Sequence, residues 1–253
     1  MAYTLYNLPD YLVDGQISGI YFFEDNQDIR LVIWTTRVDH PAGIGTEYSN
    51  RLKSYSLRTG KQLGRLDLNR RYYLDDYRIF GPFGNNQAWG YCVQNGAKLL
   101  NLFKPALLAD EQTILELNPD LGSLIRIVPG GYKYEYNAQN HNIYVTATNG
   151  DIFRITPDLK AYSLRKNEEG ANAKSNFGSA TIKDVSFRYL NADDEDYYGI
   201  DLAPYLTPKI RPYALLDLGD EAYIFLSKDR YTFFALRVNT STSVVLERID
   251  YFQ

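Results

Sequence analysis

Nucleophiles and bases are scarce in this chain. Its 253 residues include one cysteine, Cys92, and two histidines, His40 and His141. A lone thiol makes no internal disulfide and builds no cysteine-based zinc or iron–sulfur site. Cys92 ends the strand-like run Ala88-Trp89-Gly90-Tyr91 and reads as a packed thiol. His40 sits in a Pro/Gly-rich loop, and His141 lies in Asn140-His141-Asn142, which reads as a turn ahead of a strand. Two imidazoles exclude a histidine-rich metal site, and the G-x-S-x-G elbow of a serine hydrolase is absent. No catalytic residue is assigned.

Carboxylates are the next chemistry to consider. The densest run is Asp193-Asp194-Glu195-Asp196, with Asn191 and Asp201 nearby. Oxygen-rich clusters suit Ca²⁺, so Asp193, Asp194 and Asp196 are the metal candidates. The D-x-[DN]-x-[DN]-G spacing of a calcium loop is missing, however, and a solvated acidic loop is the plainer reading. With Tyr197 and Tyr198 that loop would offer an acidic, aromatic patch to a basic protein partner. Asp67, Asp75 and Asp76, or Glu168 with Glu169, are carboxylate pairs of the kind glycosidases use, but nothing in the sequence brings them to one cleft.

Aromatic residues give the other candidates. Tyrosine occurs 23 times and phenylalanine 12 times. Tyr132, Tyr134 and Tyr136 share one face if their segment is a strand. That row is either a seam between sheets or an exposed binding surface. Arg70-Arg71-Tyr72-Tyr73 interleaves charge with rings as single-strand nucleic-acid grooves do, but Asp75 and Asp76 cancel the charge and a linker is the better reading.

Composition bounds the answer. Apolar residues make up 45% and charged residues 23%, the balance of a globular chain. A net charge of −4 argues against nucleic-acid wrapping or a polybasic membrane patch. No apolar run reaches the ~18 residues of a membrane span, and the N-terminus has neither the basic start nor the apolar core of a signal peptide. The expected location is the cytoplasm, or outside it if a leader is absent from this sequence. Asn239-Thr240-Ser241 matches a glycosylation acceptor, a triplet common by chance.

The elements that must carry these residues are strands. Arg51-Leu52-Lys53-Ser54-Tyr55-Ser56-Leu57 alternates with period two, and Ala180 to Phe187 does so with one slip of phase. Trp34, Trp89, Tyr144 and Tyr223 each follow a small or branched apolar residue, at separations of 55, 55 and 79 residues. Each has an apolar run before it and two after it. The fourth runs are Leu63 to Leu68, Thr113 to Leu117, Ala161 to Leu164 and Val244 to Ile249, while Lys104 to Asp110 has room for one helical turn. Four short antiparallel strands, repeated, predict the blades of an all-β, propeller-like fold, with the four rings packed between blades. The blade-like units are 17–69, 76–118, 123–165 and 211–252 of a single domain, 1–253. The surplus, 166–210, is an insertion expected at the surface, and Ala180 to Leu190 has the pattern for a fifth, degenerate blade.

Tyr55-Ser56-Leu57-Arg58-Thr59-Gly60-Lys61-Gln62-Leu63 resembles the quinoprotein-type propeller repeat, which runs D-x-x-T-G-K and then a tryptophan. Thr59-Gly60-Lys61 is a turn in which glycine permits the backbone. Asn149-Gly150-Asp151-Ile152-Phe153-Arg154-Ile155 and Gly130-Gly131 are weaker echoes. The chain thus resembles a bacterial branch of the quinoprotein-like superfamily, with a WD-like pattern of repeats. Ser56 replaces the repeat's Asp, Leu63-Gly64 stands where the Trp is usual, and the other three units lack the motif. Quinone-dependent members have rings of about eight blades and a calcium-assisted Asp, so four units give no case for a quinone, and no cofactor is expected.

The expected function is a non-enzymatic module whose loops, 38–50 and 166–211, bind a protein partner, with no nucleic acid and no membrane among its targets. The oligomeric state is open. The alternatives are a hydrolase or lyase using carboxylates in a central funnel, and a glycan or small-ligand sensor.

Overall fold

The computed structural model describes residues 16–26, 28–39, 47–72, 78–92, 96–124, 133–146, 151–164, 178–180, 182, 185–190, 197–207, 210–229 and 232–251. Those residues form four β-sheets and two short helices, so the chain is all-β. The chain divides into two compact units. Unit 1 is 1–72 with 178–253, and unit 2 is 73–177.

Unit 1 holds sheets A and D. Sheet A contains β1 (Gln16–Asp25), β2 (Asp28–Asp39), β3 (Glu47–Ser56) and β4 (Gln62–Tyr72) in meander order. Sheet D repeats that order with β15 (Arg211–Asp217), β16 (Glu221–Asp229), β17 (Thr232–Asn239) and β18 (Val244–Asp250). Each sheet gains a fifth strand at its first edge: β13 (Gly178–Ala180) pairs parallel with β1, and β14 (Ser186–Tyr189) pairs antiparallel with β15.

Unit 2 holds sheets B and C. Sheet B contains β5 (Arg78–Phe83), β6 (Gln87–Cys92), β7 (Gly96–Asn101) and β8 (Ala106–Ala109). Sheet C contains β9 (Lys133–Asn137), β10 (Asn142–Thr146), β11 (Ile152–Ile155) and β12 (Ala161–Leu164). Helices α1 (Glu111–Leu117) and α2 (Pro119–Leu124) follow β8. Neither helix is long and apolar enough to cross a membrane.

The four aromatic markers occupy equivalent strands. Trp34, Trp89, Tyr144 and Tyr223 lie on β2, β6, β10 and β16, the second strand of each meander, and all four are buried. Their faces follow one rule in both units. In unit 1, Tyr223 and Phe225 face a core that β2 enters with Leu31 and Ile33, so alternation turns Trp34 to the opposite face of sheet A. In unit 2, Trp89 and Tyr91 face a core that β10 enters with Ile143 and Val145, so Tyr144 turns to the opposite face of sheet C. Each unit thus packs the marker-bearing face of one sheet on the marker-free face of the other.

A second repeated device lies at the turns. The last residue of the third strand caps its own turn in three sheets. Ser56 Oγ accepts from Thr59 N at 3.1 Å, Asn101 Oδ1 from Lys104 N at 2.8 Å, and Asn239 Oδ1 from Thr242 N at 2.8 Å. The next residue then donates its backbone N–H to the turn between the first two strands of the same sheet or to the start of the second strand. Leu57 reaches Ile29 O at 2.8 Å, Leu102 reaches Asn86 O at 2.9 Å, and Thr240 reaches Asp220 O at 3.2 Å. Short polar side chains favour such turns because they substitute for a backbone acceptor.

The structure corrects several expectations. The fourth strand of sheet B is Ala106–Ala109, where one helical turn was expected, and the segment from Thr113 to Leu117 is helical. Asp110 decides this. Its side chain accepts from Thr113 N at 2.9 Å and caps the helix, a local bond that outcompetes strand pairing. Arg70, Arg71 and Tyr72 belong to β4 and not to a linker. No fifth blade forms among the described residues. In the Ala180–Leu190 region, Ala180 ends β13 in sheet A, while Ser186–Tyr189 form β14 in sheet D. The insertion is also not wholly superficial: Leu190, Tyr197, Ile200 and Leu202 are buried with Leu215, Ile224 and Leu226 of sheet D.

Candidate functional site

The candidate site is a cleft of about 360 Å³ in unit 1, where the turns of sheets A and D meet. Glu24, Asn26 and Asp28 come from the β1–β2 hairpin, Leu57 and Arg58 from the β3–β4 turn, and Leu218, Glu221 and Tyr223 from the β15–β16 hairpin. Ile182, between β13 and β14, completes the wall.

Local sequence explains why this rim keeps its shape. Asn26 adopts φ 56° and Gly60 φ 69°, left-handed values that Asn and Gly reach at least cost. At Gly60 an added Cβ would collide with the carbonyl oxygen of Asp250, so the β3–β4 turn closes on β18 only because the side chain is absent. Ser56 Oγ donates to Asp28 Oδ2 at 2.5 Å while accepting from Thr59, which ties two turns through one hydroxyl.

Three carboxylates and one guanidinium line the cleft, around an apolar floor of Ile29, Leu57, Ile182 and Leu218. Glu221 lies 3.7 Å from Arg237. Burial raises the phenol of Tyr223 above its ordinary value; Arg237 and Arg58 draw it back and Glu221 opposes them. Among the described residues, the lining includes neither histidine nor cysteine. The arrangement can hold a charged, partly apolar group by electrostatics and contact. Among the described residues no group of three or more His, Cys, Asp or Glu could hold a metal ion.

The aromatic candidates lie elsewhere. Tyr197 is 9% exposed and packs in the cluster beneath the insertion. It also lines a second cleft, of about 370 Å³, with Asp201, Leu206 and Arg211. Tyr198 adopts φ 58°, donates its hydroxyl to Asp217 Oδ2 at 2.5 Å, and accepts at its carbonyl from Ser243 Oγ at 2.6 Å. These two tyrosines fasten the insertion to sheet D. Asp193, Asp194 and Asp196 lie outside the described residues, as do Tyr132, Asp75, Asp76, Glu168, Glu169 and His40.

Tyr134 pairs through its backbone with Val145, and its side chain lies outside the described set. Tyr136 is 5% exposed and stacks on Phe80 with ring centroids 5.0 Å apart, the seam arrangement. Burial pushes its hydroxyl up to about 12, and that oxygen lies 2.9 Å from His141 Nδ1. His141 is a turn residue at φ 58°. Its ring stacks on Phe83 at 5.0 Å and its carbonyl accepts from Trp89 Nε1 at 2.9 Å. Cys92 is the last residue of β6.

Sequence reasoning did not find the cleft. Its residues come from three turns and a crossover, distant in the chain. The only signal was the polarity of Glu24-Asp25-Asn26-Gln27-Asp28 and of Gly219-Asp220-Glu221, which reads equally well as plain turns. No protein-family model matches this chain, and no curated protein matches it.

Proposed function

We propose that the four sheets act as propeller-type blades of a non-enzymatic protein-interaction module. The packing rule supports the scaffold. A marker-bearing face on a marker-free face is the relation that lets one blade follow another, and it holds in both units. The observation that carries the binding role is the cleft of unit 1. It gathers charge of both signs and apolar surface, and its rim is cross-linked by Ser56, Asp28 and Leu57. A pre-shaped rim loses little entropy on binding, which favours recognition.

Capture from the native host with the full chain as bait tests the reading, followed by titration of the purified partner. The expected result is one protein that binds the wild type and loses affinity with Glu24→Arg at the cleft rim. Recovery of no protein, together with turnover of a sugar library by the chain, would overturn it.

A further inference from the structure

Glu24 and Asp28 reach the cleft of unit 1 from the β1–β2 hairpin. Neither takes part in an ion pair among the described residues. Asp28 is nevertheless held in place. Its Oδ1 accepts from Ile29 N at 2.7 Å and its Oδ2 from the Ser56 hydroxyl at 2.5 Å. Both donors are neutral, so they orient the carboxylate and leave its charge. Glu221 is the third carboxylate of the lining. It lies 3.7 Å from Arg237, but Glu247 lies at the same distance from that guanidinium and divides its charge.

Arg58 is the one cation in the described lining; it is exposed and joins no ion pair among the described residues. Lys183 and Asp184, which follow Ile182 in the chain, add no net charge. The described lining therefore carries an excess of negative charge around the floor of Ile29, Leu57, Ile182 and Leu218. A charged cleft with low-dielectric walls focuses its field on an incoming group. At about 360 Å³ it is at the small end of binding pockets, with room for a side chain or two.

We propose that this cleft receives an arginine side chain of the partner protein, flanked by apolar residues. The inference rests on the reading of the cleft as a partner-binding surface and names what the partner presents. A guanidinium is weakly hydrated and matches carboxylates with its fork of donors, while its methylene stem covers apolar surface. Glu24 and Asp28 meet the fork, and the floor meets the stem and the flanking side chains. Asp28 is already oriented, so its contact costs little ordering. The net charge of −4 steers a basic segment toward the chain. Arg58 opposes the incoming cation without cancelling the carboxylates.

The test titrates the full chain with acetyl-Leu-Arg-Leu-amide and with its glutamine and glutamate counterparts. The methyl NMR signals of Ile29 and Ile182 report the cleft, that of Ile210 serves as a control at the second cleft, and circular dichroism checks the fold of each variant. Saturable shifts at Ile29 and Ile182 are expected, with the arginine peptide about three- to tenfold tighter than the glutamine one and the glutamate peptide weakest. Glu24→Gln should weaken the arginine peptide about two- to fivefold and leave the glutamine peptide unchanged. Arg58→Gln should tighten the arginine peptide, an effect opposite to that of general damage to the cleft. Raising the ionic strength should weaken the arginine peptide most. Equal affinities for the three peptides, a preference for glutamate, or no saturable shift with any of them would overturn the proposal. The partner-binding reading fails separately, by the capture from the host described above.

Discussion

Tyr251 donates its hydroxyl hydrogen to the carbonyl oxygen of Leu57 at 2.8 Å, across 194 residues of chain. The bond is buried and joins the last residues of sheet D to the β3–β4 turn of sheet A. Tyr251 also packs on Tyr55 with ring centroids 5.8 Å apart. Tyr251→Phe keeps the ring and strands the carbonyl, so it should destabilise unit 1 by about 1–3 kcal/mol. Urea unfolding, followed by fluorescence and circular dichroism, measures this.

Gly60 meets sheet D at the same junction. Gly60→Ala would force a Cβ at φ 69° against Asp250 O. The left-handed backbone costs a non-glycine residue roughly 1–2 kcal/mol before the clash is counted. A loss above that range in the same unfolding assay is expected. A change under about 0.5 kcal/mol, the range of an ordinary surface substitution, would contradict the contact.

Asn118 is the corresponding staple of unit 2. Its Nδ2 donates to Ile114 O and to Leu159 O, each at 2.7 Å, and its Oδ1 accepts from Ala161 N at 2.8 Å. One side chain thus ties the end of α1 to the hairpin before β12. Asn118→Ala should cost about 2–4 kcal/mol, as several part-buried groups lose partners together. Hydrogen exchange at Ala161 should accelerate while exchange in sheet D is unchanged.

Alkali should unfold the chain through its buried phenols. Tyr136 titrates near 12 in the folded state against an ordinary value of 10.0, because burial disfavours phenolate. A group raised in the folded state contributes stability that is complete below pH 10 and lost as pH rises to about 12. Each such tyrosine removes ~1.4 kcal/mol per pH unit across that window. Burial likewise holds Tyr213 and Tyr251 well above their usual range. Titration of the phenolate absorbance should show a delayed, cooperative phase. Tyr136→Phe should make the loss of stability with pH less steep.

Much of the fold was readable from Trp34, Trp89, Tyr144 and Tyr223, because period-two alternation and burial of a large ring are properties of the local sequence. The Thr59-Gly60-Lys61 turn was readable for the same reason: Gly60 takes the left-handed conformation that its position asks for. Ala106–Ala109 was missed because four apolar residues fit a helical turn as well as a strand, and the cap at Asp110 decides which side becomes helix. The cleft was not readable, because its lining comes from hairpins and a crossover far apart in the chain, and the sequence of one turn does not state which other turn lies beside it.

The discontinuous make-up of unit 1 has a consequence for biosynthesis. Strands β1 to β4 are translated before β15 to β18, so the apolar face carrying Leu31, Ile33 and Tyr55 waits for Phe225, Phe233 and Tyr251. Unit 2 is contiguous and is translated in that interval. The nascent chain therefore carries that apolar face uncovered while unit 2 is made, and unit 1 closes only after β18 has been translated.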